Sequence, residues 1–254
     1  VPLNPKVVKD TTNELIAQDL AETVDRTVLS AATTGTRPIL TGVYFRAEKD
    51  ILKAVATDSF RLAEKKTKLT KIAEKLVECI VPVKTMLELS RILGSGYEEE
   101  VVQVHISKNQ ILFAVNGVEL ISRLIEGKFP DYEKIIPKAT RTKMEVDVTH
   151  LVMATKRVSL FAKENNNSIK LTATNNGKLQ ISTDETRVGE EKAEIDIKIQ
   201  GENNKVAINS QYLLDVLGRL KESVNIEMDE KLTPVVVKSS KKDDYLYIIM
   251  PLKV

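Results

Sequence analysis

Two stretches of this 254-residue chain share one pattern, and that duplication narrows the available folds more than any other feature. Gly42 to Asp58 alternates apolar and polar residues, turns at Glu48-Lys49-Asp50, alternates again and ends on Thr57-Asp58. Ser168 to Asp184 does the same about Asn175-Asn176-Gly177 and ends on Thr183-Asp184. Thr57 and Thr183 are 126 residues apart. Two period-2 runs about a turn-forming group are the signature of a β-hairpin. A second pair recurs at nearly the same offset, Val81–Leu93 and Ile208–Leu220. Each reads as a short amphipathic helix, opened by Pro82 or by Asn209-Ser210. Met86, Leu89 and Leu93 form the apolar stripe of one; Leu213, Val216, Leu217 and Leu220 form that of the other. Alternating strands follow each, at 101–106 and 111–115, then at 224–228 and 234–238.

Each half is also expected to open with a helix, over Asn13–Ala31 and Val148–Ala162, where apolar residues recur about every fourth position. The repetition predicts an α+β fold of two tandem domains, each with two helices packed on antiparallel sheets. Pro130 and Pro137 interrupt helix and ladder alike, so the boundary is expected there. Residues 1–10 read as a linker, 11–133 as the first domain and 134–254 as the second.

Composition narrows the function. Apolar residues make up 42% and charged residues 29%, ordinary for a soluble globular protein. No apolar run approaches the ~18 residues of a membrane span, and no signal-peptide pattern opens the chain. A start at Val1 rather than Met marks a processed chain or a piece of a longer one. The lone Cys79 excludes an internal disulfide and any multi-cysteine metal site, and fits a reducing cytoplasm. A cytoplasmic protein with no metal and no cofactor is expected. There is no phosphate-binding glycine loop, nucleophile elbow or zinc-binding helix motif. His105 and His150 are far apart, with no partner spacing between them. The scattered acids Asp58, Asp131 and Asp184 leave an enzyme reading open, but they sit at repeated or turn positions, which favours structural duty. Net charge is only +2, so nucleic-acid binding would require basic residues gathered on one face.

Three segments carry a family resemblance. Val55-Ala-Thr-Asp-Ser-Phe-Arg-Leu-Ala63, Gly127-Lys-Phe-Pro-Asp-Tyr132 and Tyr247-Ile-Ile-Met-Pro-Leu252, in that order, resemble the bacterial sliding clamp, the beta subunit of DNA polymerase III. The resemblance is to its second and third domains and covers about residues 11–254. It implies a non-catalytic processivity subunit of a DNA-directed DNA polymerase holoenzyme. In full-length form such a subunit closes a ring-shaped homodimer around double-stranded DNA, and residues 1–10 would lead in from an absent first domain. The final Met250-Pro251 resembles the bacterial clamps rather than the two-domain clamps of eukaryotes and archaea. The implied partners are the replicative polymerase, the clamp loader and repair proteins, each bound through a short linear peptide. The alternative is a two-domain protein-interaction module that never meets DNA.

A sliding ring gains from diffuse phosphate contacts, because base readout would impose barriers to movement. Aromatic residues are 4% of the chain and Trp is absent, so no stacking platform is legible. The resemblance assigns the DNA-facing role to helical Arg26, Lys84, Arg91, Lys156, Arg157, Arg219 and Lys221, with Arg37 in the loop Thr33–Arg37. Lys and Arg also decorate almost any solvated helix, and Glu88 reads as an ion-pair partner of Lys84. For the peptide pocket the resemblance assigns Leu40, Thr57, Ser59, Phe60, Arg61, Leu62, Pro130, Lys134, Ile135, Asn209, Tyr212, Leu232, Pro234, Ile248, Ile249, Met250, Pro251, Leu252 and Lys253. Their chemistry suits peptide capture: an apolar floor for a partner's Leu and Phe, with a few polar groups to hold its backbone. Phe60 stands where the family commonly has His, Lys134 and Lys253 where Arg is frequent, and Pro234 where a small polar residue is usual. These departures bear on peptide preference rather than on fold.

Overall fold

The computed structural model describes residues 10–35, 37–183, 191–242 and 244–253. Residues 1–9 of the linker expected over 1–10, together with Thr36, Asp184 and Asp243, lie outside the described residues. The chain forms two compact units that divide between Pro130 and Asp131.

Unit 1 begins with β1 (Thr11–Ile16), whose alternate residues Thr11, Asn13 and Leu15 are buried. Helix α1 (Ala17–Thr27) follows directly. The helix expected from Asn13 therefore starts four residues later. Its opening segment instead forms an antiparallel ladder with β6 (Val101–Ile106), pairing Asn13 with Val104. That ladder supplies backbone partners, so tertiary pairing outweighs the local four-residue periodicity. Short 3-10 turns at Val28–Ser30 and Pro38–Thr41 lead to β2 (Gly42–Glu48) and β3 (Ile51–Thr57), the hairpin read from sequence. Strands β4 (Arg61–Lys68) and β5 (Val77–Pro82) complete the order β4-β3-β2-β5. Helix α2 (Val83–Leu93) buries Met86, Leu89 and Leu93, the expected stripe. Strands β7 (Gln110–Val115) and β8 (Val118–Arg123) close the second sheet in the order β1-β6-β7-β8.

The core of unit 1 lies between its helices and the inward faces of its strands. Leu20, Val24, Val43, Ala54, Met86 and Ile111 are fully buried there. Thr23 and Thr27 let α1 bury a polar edge, because each hydroxyl donates back to the carbonyl four residues earlier at 2.7 Å. Cys79 belongs to this core, and burial pushes its thiol up to about 12, leaving it protonated and inert at neutral pH.

Unit 2 repeats the plan. After a 3-10 turn at Tyr132–Ile135 come β9 (Thr142–Asp147) and α3 (Val148–Ala162). The helix has the bounds read from sequence, with Asp147 accepting the His150 amide at 2.9 Å as its cap. A strand again precedes it, so both halves open on a strand and not on a helix. Strands β10 (Ser168–Thr174), β11 (Lys178–Ser182), β12 (Lys192–Asp196) and β14 (Asn204–Asn209) pair in the order β12-β11-β10-β14. A short β13 (Lys198–Gly201) joins β9 in a second sheet with β15 (Ser223–Met228), β16 (Val235–Ser239) and β17 (Tyr245–Ile249). Helix α4 (Ser210–Leu217) ends at Gly218, so Arg219 and Lys221, expected to close this helix, lie beyond it.

Gly42 marks a close approach inside unit 1. A Cβ there would come within 2.6 Å of Ile80 Cγ2 and 2.8 Å of Ile125 Cδ1. Gly42→Ala should destabilise unit 1 by about 1–3 kcal/mol through overpacking, read from urea unfolding.

Candidate functional site

In unit 1 the expected site residues gather at the turn from β3 to β4. Thr57 ends one strand and Arg61 begins the next. The Asp58 carboxylate accepts the amides of Phe60 at 2.9 Å and Arg61 at 3.0 Å, and the Arg61 Nε–H at 3.0 Å. The Thr57 hydroxyl donates to the Arg61 carbonyl at 2.6 Å and accepts the Ser59 amide at 3.1 Å. These five bonds hold Ser59 at φ +80°, a left-handed conformation that costs a non-glycine residue about 1–3 kcal/mol. The turn projects Phe60, whose ring is 61% exposed. Leu40, in the nearby 3-10 turn, and Leu62 are buried.

In unit 2 a groove of about 480 Å³ is lined by four of the expected residues: Lys134, Ile135, Pro234 and Met250. Ile136, Pro137, Lys138, Ala139, Asp229 and Thr233 line it as well. Sequence reading missed these six; only for Ile136 and Thr233 was adjacency to Ile135 and Pro234 an available signal. Asp131 lies 2.7 Å from the Lys134 ammonium and holds it above the usual lysine range. Lys134 therefore stays charged at neutral pH. Asn209 caps α4, its side-chain oxygen accepting the Gln211 amide at 2.8 Å while its amide donates to the Asn166 carbonyl at 3.3 Å. The Tyr212 carbonyl accepts the Tyr247 hydroxyl at 3.1 Å. Ile248 and Ile249 are fully buried in β17 and back the surface, while Met250, Pro251 and Leu252 are half-buried beyond it. Leu232 is 61% exposed, and Pro130 and Lys253 are exposed too.

The basic residues differ in exposure and in their partners. Arg37, Lys84, Lys156, Arg219 and Lys221 are exposed. Arg91 reaches Glu88 at 3.3 Å, so Glu88 pairs with Arg91 where the sequence pointed to Lys84. Arg26 lies 2.8 Å from Glu22, with its side chain only 18% exposed. Arg157 is drawn toward β12 by Glu191 at 2.9 Å and the Lys192 carbonyl at 2.8 Å. His105 is buried against Thr12, with Nδ1 at 2.7 Å from the hydroxyl, and His150 is exposed on α3. Among the described residues no cluster of three or more His, Cys, Asp or Glu could hold a metal ion, and no helix is long and apolar enough to cross a membrane.

The turn can be tested on its own. Asp58→Ala strips three hydrogen bonds and should cost about 1–3 kcal/mol, while Ser59→Gly removes the left-handed penalty and should not destabilise. Chemical denaturation of the two variants measures both.

Two family models match the chain in sequence order. The DNA polymerase III beta subunit central domain matches residues 14–131 and its C-terminal domain matches residues 133–253. A beta sliding clamp from Staphylococcus aureus is 31% identical over 254 residues, covering 99% of this chain and 67% of the relative. The DNA polymerase sliding clamp from Bacillus subtilis superposes with a TM-score of 0.94 at 30% identity, covering 100% of this chain and 67% of that one. The sliding clamp from Pseudomonas aeruginosa bound to griselimycin superposes with a TM-score of 0.94 at 27% identity, over 100% of this chain and 68% of that one. With both units matched along nearly their whole length, this chain belongs to the bacterial beta sliding clamp family, the non-catalytic processivity factors of DNA polymerase III.

Proposed function

We propose that this chain, as part of a ring-shaped homodimer in the cytoplasm, holds a replicative polymerase, a clamp loader and repair proteins on duplex DNA. The observation that carries this is the unit 2 groove, where Ile135, Pro234 and Met250 converge from three separate segments. Such a surface suits a short peptide bearing Leu and Phe. Burial of apolar side chains supplies affinity, and Met250 repacks around different partners. The turn of unit 1 holds Phe60 and Arg61 in place on its own. No reacting group is required. The exposed Lys84, Lys156 and Lys221, with Arg37, Arg91 and Arg219, supply weak phosphate contacts that leave DNA free to slide.

A labelled peptide of the Gln-Leu-x-Leu-Phe type should bind the chain in a fluorescence anisotropy titration. Met250→Ala should raise Kd about tenfold, and deletion of Met250 to Val254 should abolish binding while circular dichroism is retained. Unchanged affinity in the deleted chain contradicts the assignment.

DNA binding separates a clamp from an interaction module that never meets DNA. Affinity for two unrelated duplexes should be equal, fall steeply with salt and weaken to the same degree for both in Lys84→Glu/Lys156→Glu. No measurable duplex affinity at low salt would favour the module.

A further inference from the structure

The internal repeat reaches further than the segments that announce it. Tyr44 pairs with Ile80 across β2 and β5, and Lys170 pairs with Ala207 across β10 and β14, at equivalent places. The Ile125 amide donates to the Ile80 carbonyl at 2.9 Å, and the Leu252 amide donates to the Ala207 carbonyl at 2.8 Å. In each unit one such bond pins the segment leaving the last strand, β8 or β17, against the outer edge of β5 or β14. Beside each pinned segment lies a cavity, of about 540 Å³ in unit 1 and about 460 Å³ in unit 2.

The two cavities differ in their lining. In unit 1 the chain runs on through Gly127 and Lys128 and lays Phe129 on Tyr44, with ring centroids 4.9 Å apart and planes 9° from parallel. The Tyr44 hydroxyl donates to the Glu78 carboxylate. In unit 2 Lys170 stands at the place of Tyr44, and Lys205 at that of Glu78. Lys231 joins them from the turn between β15 and β16. Arg141, on the same cavity, is held by Asp229 at 3.3 Å and Glu230 at 2.7 Å. Glu202 lines the cavity as well. Where unit 1 has an aromatic shelf covered by its own chain, unit 2 has a trough walled by lysines, with Glu202 as the acid not engaged by Arg141 in these pairs. The trough adjoins the tail: Leu252 lines it, and Asp229 lines both it and the groove of Ile135, Pro234 and Met250.

We propose that the trough beside β14 takes an acidic stretch of a partner polypeptide, flanking the apolar peptide held in the neighbouring groove. The inference rests on the peptide-capture reading above. Unit 1 supplies the template, since its own chain runs on from the Ile125–Ile80 bond to lay Phe129 on Tyr44, whose place Lys170 holds in unit 2. Carboxylates on that segment meet Lys205 and Lys231, so the contact is sensitive to ionic strength and adds selectivity among partners that share one apolar motif.

The test uses a labelled Gln-Leu-Ser-Leu-Phe peptide and versions carrying four Asp at the N-terminus or at the C-terminus. At low salt one Asp-bearing version should bind about fivefold tighter than the core peptide. Lys205→Glu/Lys231→Glu should erase that gain and leave core-peptide affinity unchanged. Lys108→Glu/Lys128→Glu, which reverses two lysines on the unit 1 cavity, should leave the gain intact. The inference is overturned if neither Asp version gains, if the gain survives Lys205→Glu/Lys231→Glu, or if it is lost equally in the unit 1 variant. Failure of the core peptide to bind removes the peptide-capture reading itself, and this inference with it.

Discussion

Tyr247 sits fully buried in β17, and its hydroxyl donates to the backbone carbonyl of Tyr212 in α4. This bond ties the last strand to the last helix. Side chains alternate along a strand, so a slip of one residue would move Tyr245, Tyr247 and Ile249 to the face that now holds half-buried Leu246 and buried Ile248. Each of the three is 2% exposed or less, which makes that slip costly. The register they impose decides where Met250 emerges and where the Leu252 amide meets Ala207. The groove on one side of the tail and the trough on the other both follow from it.

The two units prepare binding surfaces by different means. Unit 1 stores strain at Ser59 and restrains it with five hydrogen bonds, leaving the most exposed phenylalanine of the chain on a stiff support. Unit 2 has Pro137, Pro234 and Pro251, whose fixed φ limits the freedom of the chain around the groove and tail. Both devices place the ordering cost in folding. The clear upward shift of Cys79 comes from the core, where it serves packing.

Much of this was legible in the chain. The hairpin of β2 and β3, the bounds of α3 and the stripe of Met86, Leu89 and Leu93 follow from periodicity alone. The two opening strands were not, because Asn13–Ile16 carries apolar spacing compatible with either state and only the ladder with β6 decides it. The repeat-related ends of β8 and β17 were not legible, because Ile125 and Leu252 are ordinary aliphatic residues and only their amide bonds to Ile80 and Ala207 relate them. For the site, the tail and the Thr57–Arg61 turn were readable as motifs. Ile136 and Thr233 were not, since lining a groove depends on which loops meet in space. The engagement of Arg157 with Glu191 likewise depends on packing that a helical wheel does not show, whereas the pair of Glu22 and Arg26 follows from their four-residue spacing on α1.

Amide hydrogen exchange of the chain with and without saturating clamp-binding peptide tests the central claim most directly, because it reports on every segment at once. The account expects slower exchange at Ile135–Ile136, at Thr233 and through Met250 and Leu252, and unchanged exchange along α2 and α3. Protection confined to α2 and α3, or none at the tail, would contradict it.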